Sequence, residues 1–151
     1  MTAELMSGCR LENRQRGDEM SQHEIDAKKE PYHPEKLERK ENVGVAAYFD
    51  LDLRAGVVVA IEEFPEMRKP SYKIEVDFGP VVGRLWSSAQ ITNYTHDQLV
   101  GRTVIGAINL GDKTLPTGFI SQFLVLGALE PDGTVHLLEL PEGVQPGSMV
   151  A

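Results

Sequence analysis

Polar and apolar positions change their rhythm once along this chain, near residue 43. Before it, Leu5, Leu11, Ile25 and Leu37 are spaced too widely to make a helical stripe, and charged and amide residues fill the gaps. Residues 1–42 are therefore expected to form a polar extension outside the core. Two short helices are expected within it: Ser21 to Lys29, where Ser21 and Glu24 have capping-box spacing, and after Pro34, where Glu35 and Arg39 stand i,i+4. Met20 is read as an alternative start, to be checked by sequencing the native N-terminus.

From Val43 onward, residues 43–151 read as one domain. Val43 to Phe49 predicts one or two helical turns ended by Asp50. Leu53 to Phe64 contains Val57, Val58, Val59 and Ile61 and predicts a long strand with a bend at Gly56. Tyr72 to Phe78 alternates without fault, placing Tyr72, Ile74, Val76 and Phe78 on one face and Lys73, Glu75 and Asp77 on the other. Phe78-Gly79-Pro80 is a turn, and Val81 to Ser87 reads as a third strand returning along the second. Thr95 and Gln98 have capping-box spacing, predicting a short helix before Gly101. Arg102 to Asn109, Phe119 to Leu129 and Thr134 to Leu140 follow as strands. The last two flank Pro131-Asp132-Gly133, a turn in which Pro presets φ and Gly accepts a positive one.

Five or six strands with one short helix between the third and fourth suggest a small all-β barrel, of the size of a five-stranded OB-fold, with an N-terminal extension. FLVLGAL, Phe123 to Leu129, is apolar at nearly every position, which suggests burial on both faces and hence a homodimer.

Charge narrows the function. The chain carries a net −8, and residues 43–151 hold 7 Lys and Arg against 13 Asp and Glu. That balance opposes generic phosphate binding. The lone Cys9 excludes an internal disulfide, and no zinc-ligand spacing occurs. The four histidines are scattered and no nucleophile, zincin or phosphate-loop motif is present, so catalysis is not expected. Asp50 and Asp52 are read as turn residues rather than metal ligands, and no cofactor is expected. No apolar leader or membrane-length run appears, which predicts a cytoplasmic protein without membrane insertion and makes the Asn93-Tyr94-Thr95 glycosylation pattern coincidental.

Four segments carry a family resemblance: FDLDLRAG (49–56), EEFPEMRKPSYKIEVDFG (62–79), SSAQIT (87–92) and GFISQFLVLG (118–127). In order and spacing they resemble the CsaA family of export-related chaperones, within the larger group of tRNA-binding OB domains. The resemblance implies a homodimer that binds tRNA or structured RNA, or an unfolded or preprotein polypeptide. Carried over by position, it nominates Ser87, Ser88, Gln90, Asn109, Gly118, Phe119 and Ser121 as an RNA-binding face. Trp86 and Phe119 add stacking surfaces, and Arg84, Lys113, Lys69 and Lys73 are the available phosphate partners. The chain departs from the family in the loop GDKTLPTG, which carries Lys113 alone where a basic pair is common, and at Leu85 and Trp86, which replace polar residues. Gln122 stands where the family usually has Glu. Those departures motivate a competing reading, in which Leu85, Trp86 and Phe119 form an apolar groove for unfolded polypeptide. An adaptor that recruits a partner through its extension is a third.

Overall fold

A computed structural model describes residues 32–151. The helix expected at Ser21 to Lys29 and the alternative start at Met20 lie outside the described residues. Tyr32 is buried, whereas residues 33–51 are exposed. After Pro34 the chain makes only a turn, with the Lys36 and Leu37 amides both donating to the His33 carbonyl.

Helix α1 (Val45–Phe49) starts after Gly44, whose φ of 82° suits glycine, and ends at Asp50, which donates back to the Ala46 carbonyl at 2.9 Å. The strands are β1 (Leu53–Glu63), β2 (Tyr72–Asp77), β3 (Arg84–Ala89), β4 (Thr103–Ala107), β5 (Lys113–Thr114), β6 (Ile120–Ser121), β7 (Leu124–Val125), β8 (Gly127–Leu129) and β9 (Val135–Leu137). Two single helical turns complete the fold: α2 (Gly79–Val82) and α3 (His96–Leu99). Five strands form one antiparallel sheet in the order β3-β2-β1-β4-β7, while β5-β6 and β8-β9 are separate hairpins. The large sheet curls into a nearly closed barrel of OB type, as expected, with α3 between β3 and β4.

The alternation read in β2 holds: Tyr72, Ile74 and Val76 are buried, and Lys73, Glu75 and Asp77 face outward. The inner faces of β1 to β4 enclose Val58, Ile74, Val76, Phe78, Leu99, Val104 and Phe123. Phe78 is wholly buried and meets Phe123 edge to face at 5.0 Å. Two glycines make room for it. A β-carbon on Gly56 would lie 2.7 Å from Phe78 Cδ1, and one on Gly106 would lie 2.7 Å from Phe78 Cζ. Gly56 thus serves close packing rather than the expected bend; the register of β1 shifts further on, between Val58 and Ala60. A smaller cluster on the outer side of the sheet joins Leu53, Ile105 and Ala107 to Leu126, Leu140 and Val150. The C-terminal segment reaches it by pairing with β1, through Gly147 to Ala55, Ala55 to Ser148 and Val150 to Leu53.

Two expected strands are corrected. Val81 and Val82 belong to α2, because Pro80 favours the first helical turn and the Gly79 amide is held by Asp77 Oδ1 at 2.9 Å. The third strand begins only after Gly83 (φ 81°), which places Ser87 and Ser88 inside it rather than at its end. The run Phe119 to Leu129 is divided into β6, β7 and β8, because it pairs in turn with β5, β4 and β9. Within it Phe123 is buried, but Leu124 is 57% exposed, so burial on both faces does not hold within one chain.

Placing a methyl group on Gly106 must displace Phe78 or Phe123. Gly106→Ala is expected to cost about 1–3 kcal/mol, read as a lower urea midpoint with an unchanged denaturant slope.

Candidate nucleic-acid interface

Antiparallel pairing sets three rows of outward side chains across β1, β2 and β3, because directly opposed residues share a face. Glu62, Lys73 and Ser88 form the first row. Ala60, Glu75 and Trp86 form the second, and Val57, Asp77 and Arg84 the third. Beyond β3 lies the β5-β6 hairpin, where Lys113 faces Ser121 and Thr114 faces Ile120. The reversal at Leu115 to Gly118 is held by Gly118 N–H to Leu115 O and Leu115 N–H to Phe119 O, both 2.8 Å. Gly118 has φ 91°, so its part is conformational: it lets the chain turn and deliver Phe119.

The hairpin is seated on β3 by two sets of bonds. Ser87 is 1% exposed; its hydroxyl donates to the Phe123 carbonyl at 2.7 Å, leaving its oxygen to accept from the Ser121 hydroxyl at 3.2 Å. Gln122 grips Trp86 from both sides, its amide donating to the Trp86 carbonyl at 2.7 Å and its Oε1 accepting from the Trp86 amide at 3.0 Å. Seated in this way, Phe119 meets Phe64 edge to face at 5.3 Å. The Lys73 ammonium lies over both rings, 4.7 Å from the Phe64 centroid and 5.3 Å from that of Phe119. Aromatic surface, a cation and the Ser88 hydroxyl row therefore converge at one corner of the barrel. Lys113, half-buried in the hairpin, has its pKa lowered from the ordinary lysine value by desolvation.

Residues 53–149 match the family described as "Putative tRNA binding domain". CsaA chaperone from Picrophilus torridus is 39% identical in its solved structure, which superposes with a TM-score of 0.68 over 73% of this chain and 100% of that one. Chaperone CsaA from Bacillus anthracis is 36% identical, with a TM-score of 0.68 over 74% of this chain and 100% of that one. The chain belongs to the CsaA-type tRNA-binding domain family. Methionine–tRNA ligase of Phocaeicola vulgatus is 33% identical over 100 residues, 66% of this chain but only 14% of that enzyme's length.

Among the positions nominated by the CsaA resemblance, Ser88, Gly118 and Phe119 come together with Lys73 at the corner described, and Ser121 lies in the hairpin beside it, as does Lys113, named for its charge. Gln90 follows β3 and is half-buried. The other nominated residues are placed or engaged differently. Ser87 has no surface to offer a ligand and instead fixes the hairpin, as its partner Ser121 does. Asn109 spends both ends of its amide on backbone, donating to Asp50 O and accepting from Asp52 N at 2.8 Å each, so it ties the end of α1 to β4. Asp52 is further engaged by Arg54 at 2.6 Å. Arg84 lies four residues from Ser88, about 13 Å along β3, across from Asp77. Trp86 faces outward while its neighbour Leu85 packs on the core, so the two cannot line one apolar groove. Phe64 and the double grip of Gln122 were missed. Lys73 was named only among the available cations, although its faultless alternation on β2 already put it outside.

Ser87→Ala is expected to leave the Phe123 carbonyl short of its buried donor, at a cost of about 1–3 kcal/mol. Faster hydrogen exchange at the Gln122 amide than in the parent chain checks the loss of the seat.

Proposed function

We propose that this chain is a non-catalytic RNA-binding module whose ligand is tRNA or another structured RNA. The observation that carries the reading is the convergence of Phe119, the Lys73 ammonium and the Ser88 row on the outer corner of an OB barrel. That combination suits an unstacked base with its phosphate and sugar. Membership in the tRNA-binding domain family supports the same ligand class. The acidic remainder of the face, with Glu62, Glu75 and Asp77 in the same three rows, limits the number of phosphates that can approach. Recognition therefore leans on stacking and hydrogen bonds more than on charge.

We also infer that the working form is a homodimer. Helix α1 buries none of its own side chains although Val45, Ala46, Ala47, Tyr48 and Phe49 are all apolar or aromatic. The row Leu53–Ala107–Leu124 runs out of the small outer cluster to an exposed Leu124. Apolar surface left open in this way favours a second copy. No helix among the described residues is long and apolar enough to cross a membrane, and we place the module in the cytoplasm.

Titration of labelled tRNA at several salt concentrations tests the ligand. Binding is expected to weaken with a log–log slope of about −2 to −3, corresponding to two or three phosphate contacts. Phe119→Ala is expected to lose about 1–3 kcal/mol of binding, the worth of one stacked base. Undetectable binding at low salt would sink the RNA reading. Suppression of aggregation of a heated client without RNA binding would favour unfolded polypeptide instead. For the dimer, Leu124→Glu is expected to halve the mass measured by sedimentation equilibrium while leaving the fold intact.

A further inference from the structure

The seven cations of residues 43–151 differ sharply in what occupies them. Arg54 is committed to Asp52 and to the Gly147 carbonyl. Arg102 pairs with Glu139 at 2.8 Å and lies over the Tyr94 ring, at the end of the barrel that carries α3. Arg84 is remote from the Phe119 corner, Arg68 and Lys69 lie in the β1–β2 connection, and Lys113 sits half-buried in the hairpin. Lys73 differs in place: no ion pair holds it among the described residues, although Glu62 stands across from it on β1, and its ammonium lies over the two rings of the Phe119 corner. A ring face holds an ammonium without neutralising it, and the charge remains available to an anion that arrives over the same ring.

Resting on the RNA-binding reading above, we propose that Lys73 supplies a direct phosphate contact for the nucleotide whose base lies on Phe119. Phe64, 3% exposed, is the fixed floor against which both the ring and the ammonium are set. Ser88, directly across from Lys73, presents its hydroxyl on the same side and completes a site one nucleotide wide. In the next row Glu75 stands where a second phosphate would pass, so like-charge repulsion turns the strand away from Trp86 and toward the hairpin.

The alternative is that Lys73 only props Phe119 in place, and the salt dependence of binding separates the two roles. Unfractionated tRNA is titrated against the full chain, Lys73→Met, Lys73→Arg and Phe119→Leu across a salt series, with circular dichroism confirming that each variant is folded. A phosphate contact predicts that Lys73→Met weakens binding about tenfold at low salt and makes the log–log slope shallower by about one. Lys73→Arg should keep the parent slope, and Phe119→Leu should weaken binding with the slope unchanged. A Lys73→Met slope equal to that of the parent chain would overturn the proposal, whatever happens to affinity. If Lys73→Met proves unfolded, Lys73→Gln is read by the same criterion. Failure of the parent chain to bind tRNA at all would instead overturn the proposed function, and this inference with it.

Discussion

The hydroxyl of Ser87 holds the position on which the rest of the outer corner depends. The five-stranded sheet has β3 at one edge and β7 at the other, and no regular ladder joins them. Closure at the corner falls to Ser87 on the Phe123 carbonyl and to the paired bonds between Gln122 and Trp86. Being buried, the Ser87 bond is shielded from competing water, so its loss leaves a desolvated acceptor rather than a hydrated one. Because the hairpin is anchored immediately before Phe123, the ring of Phe119 is brought against Phe64 and beneath Lys73. A seam made of neutral groups does this without adding charge to an already acidic surface.

Inside the barrel the corresponding constraint is steric. Phe78 fills the centre only because Gly56 on β1 and Gly106 on β4 leave no side chain in its way, and Phe123 then packs on its edge. Phe123 therefore serves two purposes: its ring belongs to the core and its carbonyl receives Ser87. Core packing and the placement of the hairpin are coupled through one residue, which links the stability of the fold to the geometry of the outer corner. Electrostatics follows from the same arrangement. With 23 acidic against 15 basic side chains in the whole chain, long-range attraction of RNA is weak, and a few well-placed contacts must supply affinity.

Much of this was legible wherever a local rule agreed with the tertiary environment. The period-two pattern of β2 is such a case, since one face meets the core and the other meets water. The Thr95–Gln98 capping box is another, formed as expected with Thr95 Oγ1 accepting from Gln98 N and Gln98 Oε1 accepting from Thr95 N. The Pro131 to Gly133 turn formed for the same reason, with Gly133 at φ 90°. The third strand was misread because two valines outweighed a proline whose fixed φ suits a helical turn. The Phe119 to Leu129 run was misread because apolar content carries no record of a chain taking three partners in turn. Asn109 and Ser87 show a deeper limit: a polar side chain reads alike whether it will meet a ligand or its own backbone, and the backbone bonds these two make appear only in the fold.

The proposed meeting place for RNA is the Lys73–Ser88–Phe119 corner. Backbone amide chemical shifts of the isotope-labelled chain, followed through a titration with tRNA, test it most directly. Binding at this corner predicts shifts concentrated at Lys73, Ser88 and the hairpin from Lys113 to Ser121, with Asp50, Asp52 and Asn109 unmoved. Shifts centred on Asp50, Asp52 and Asn109, with the hairpin silent, would contradict it.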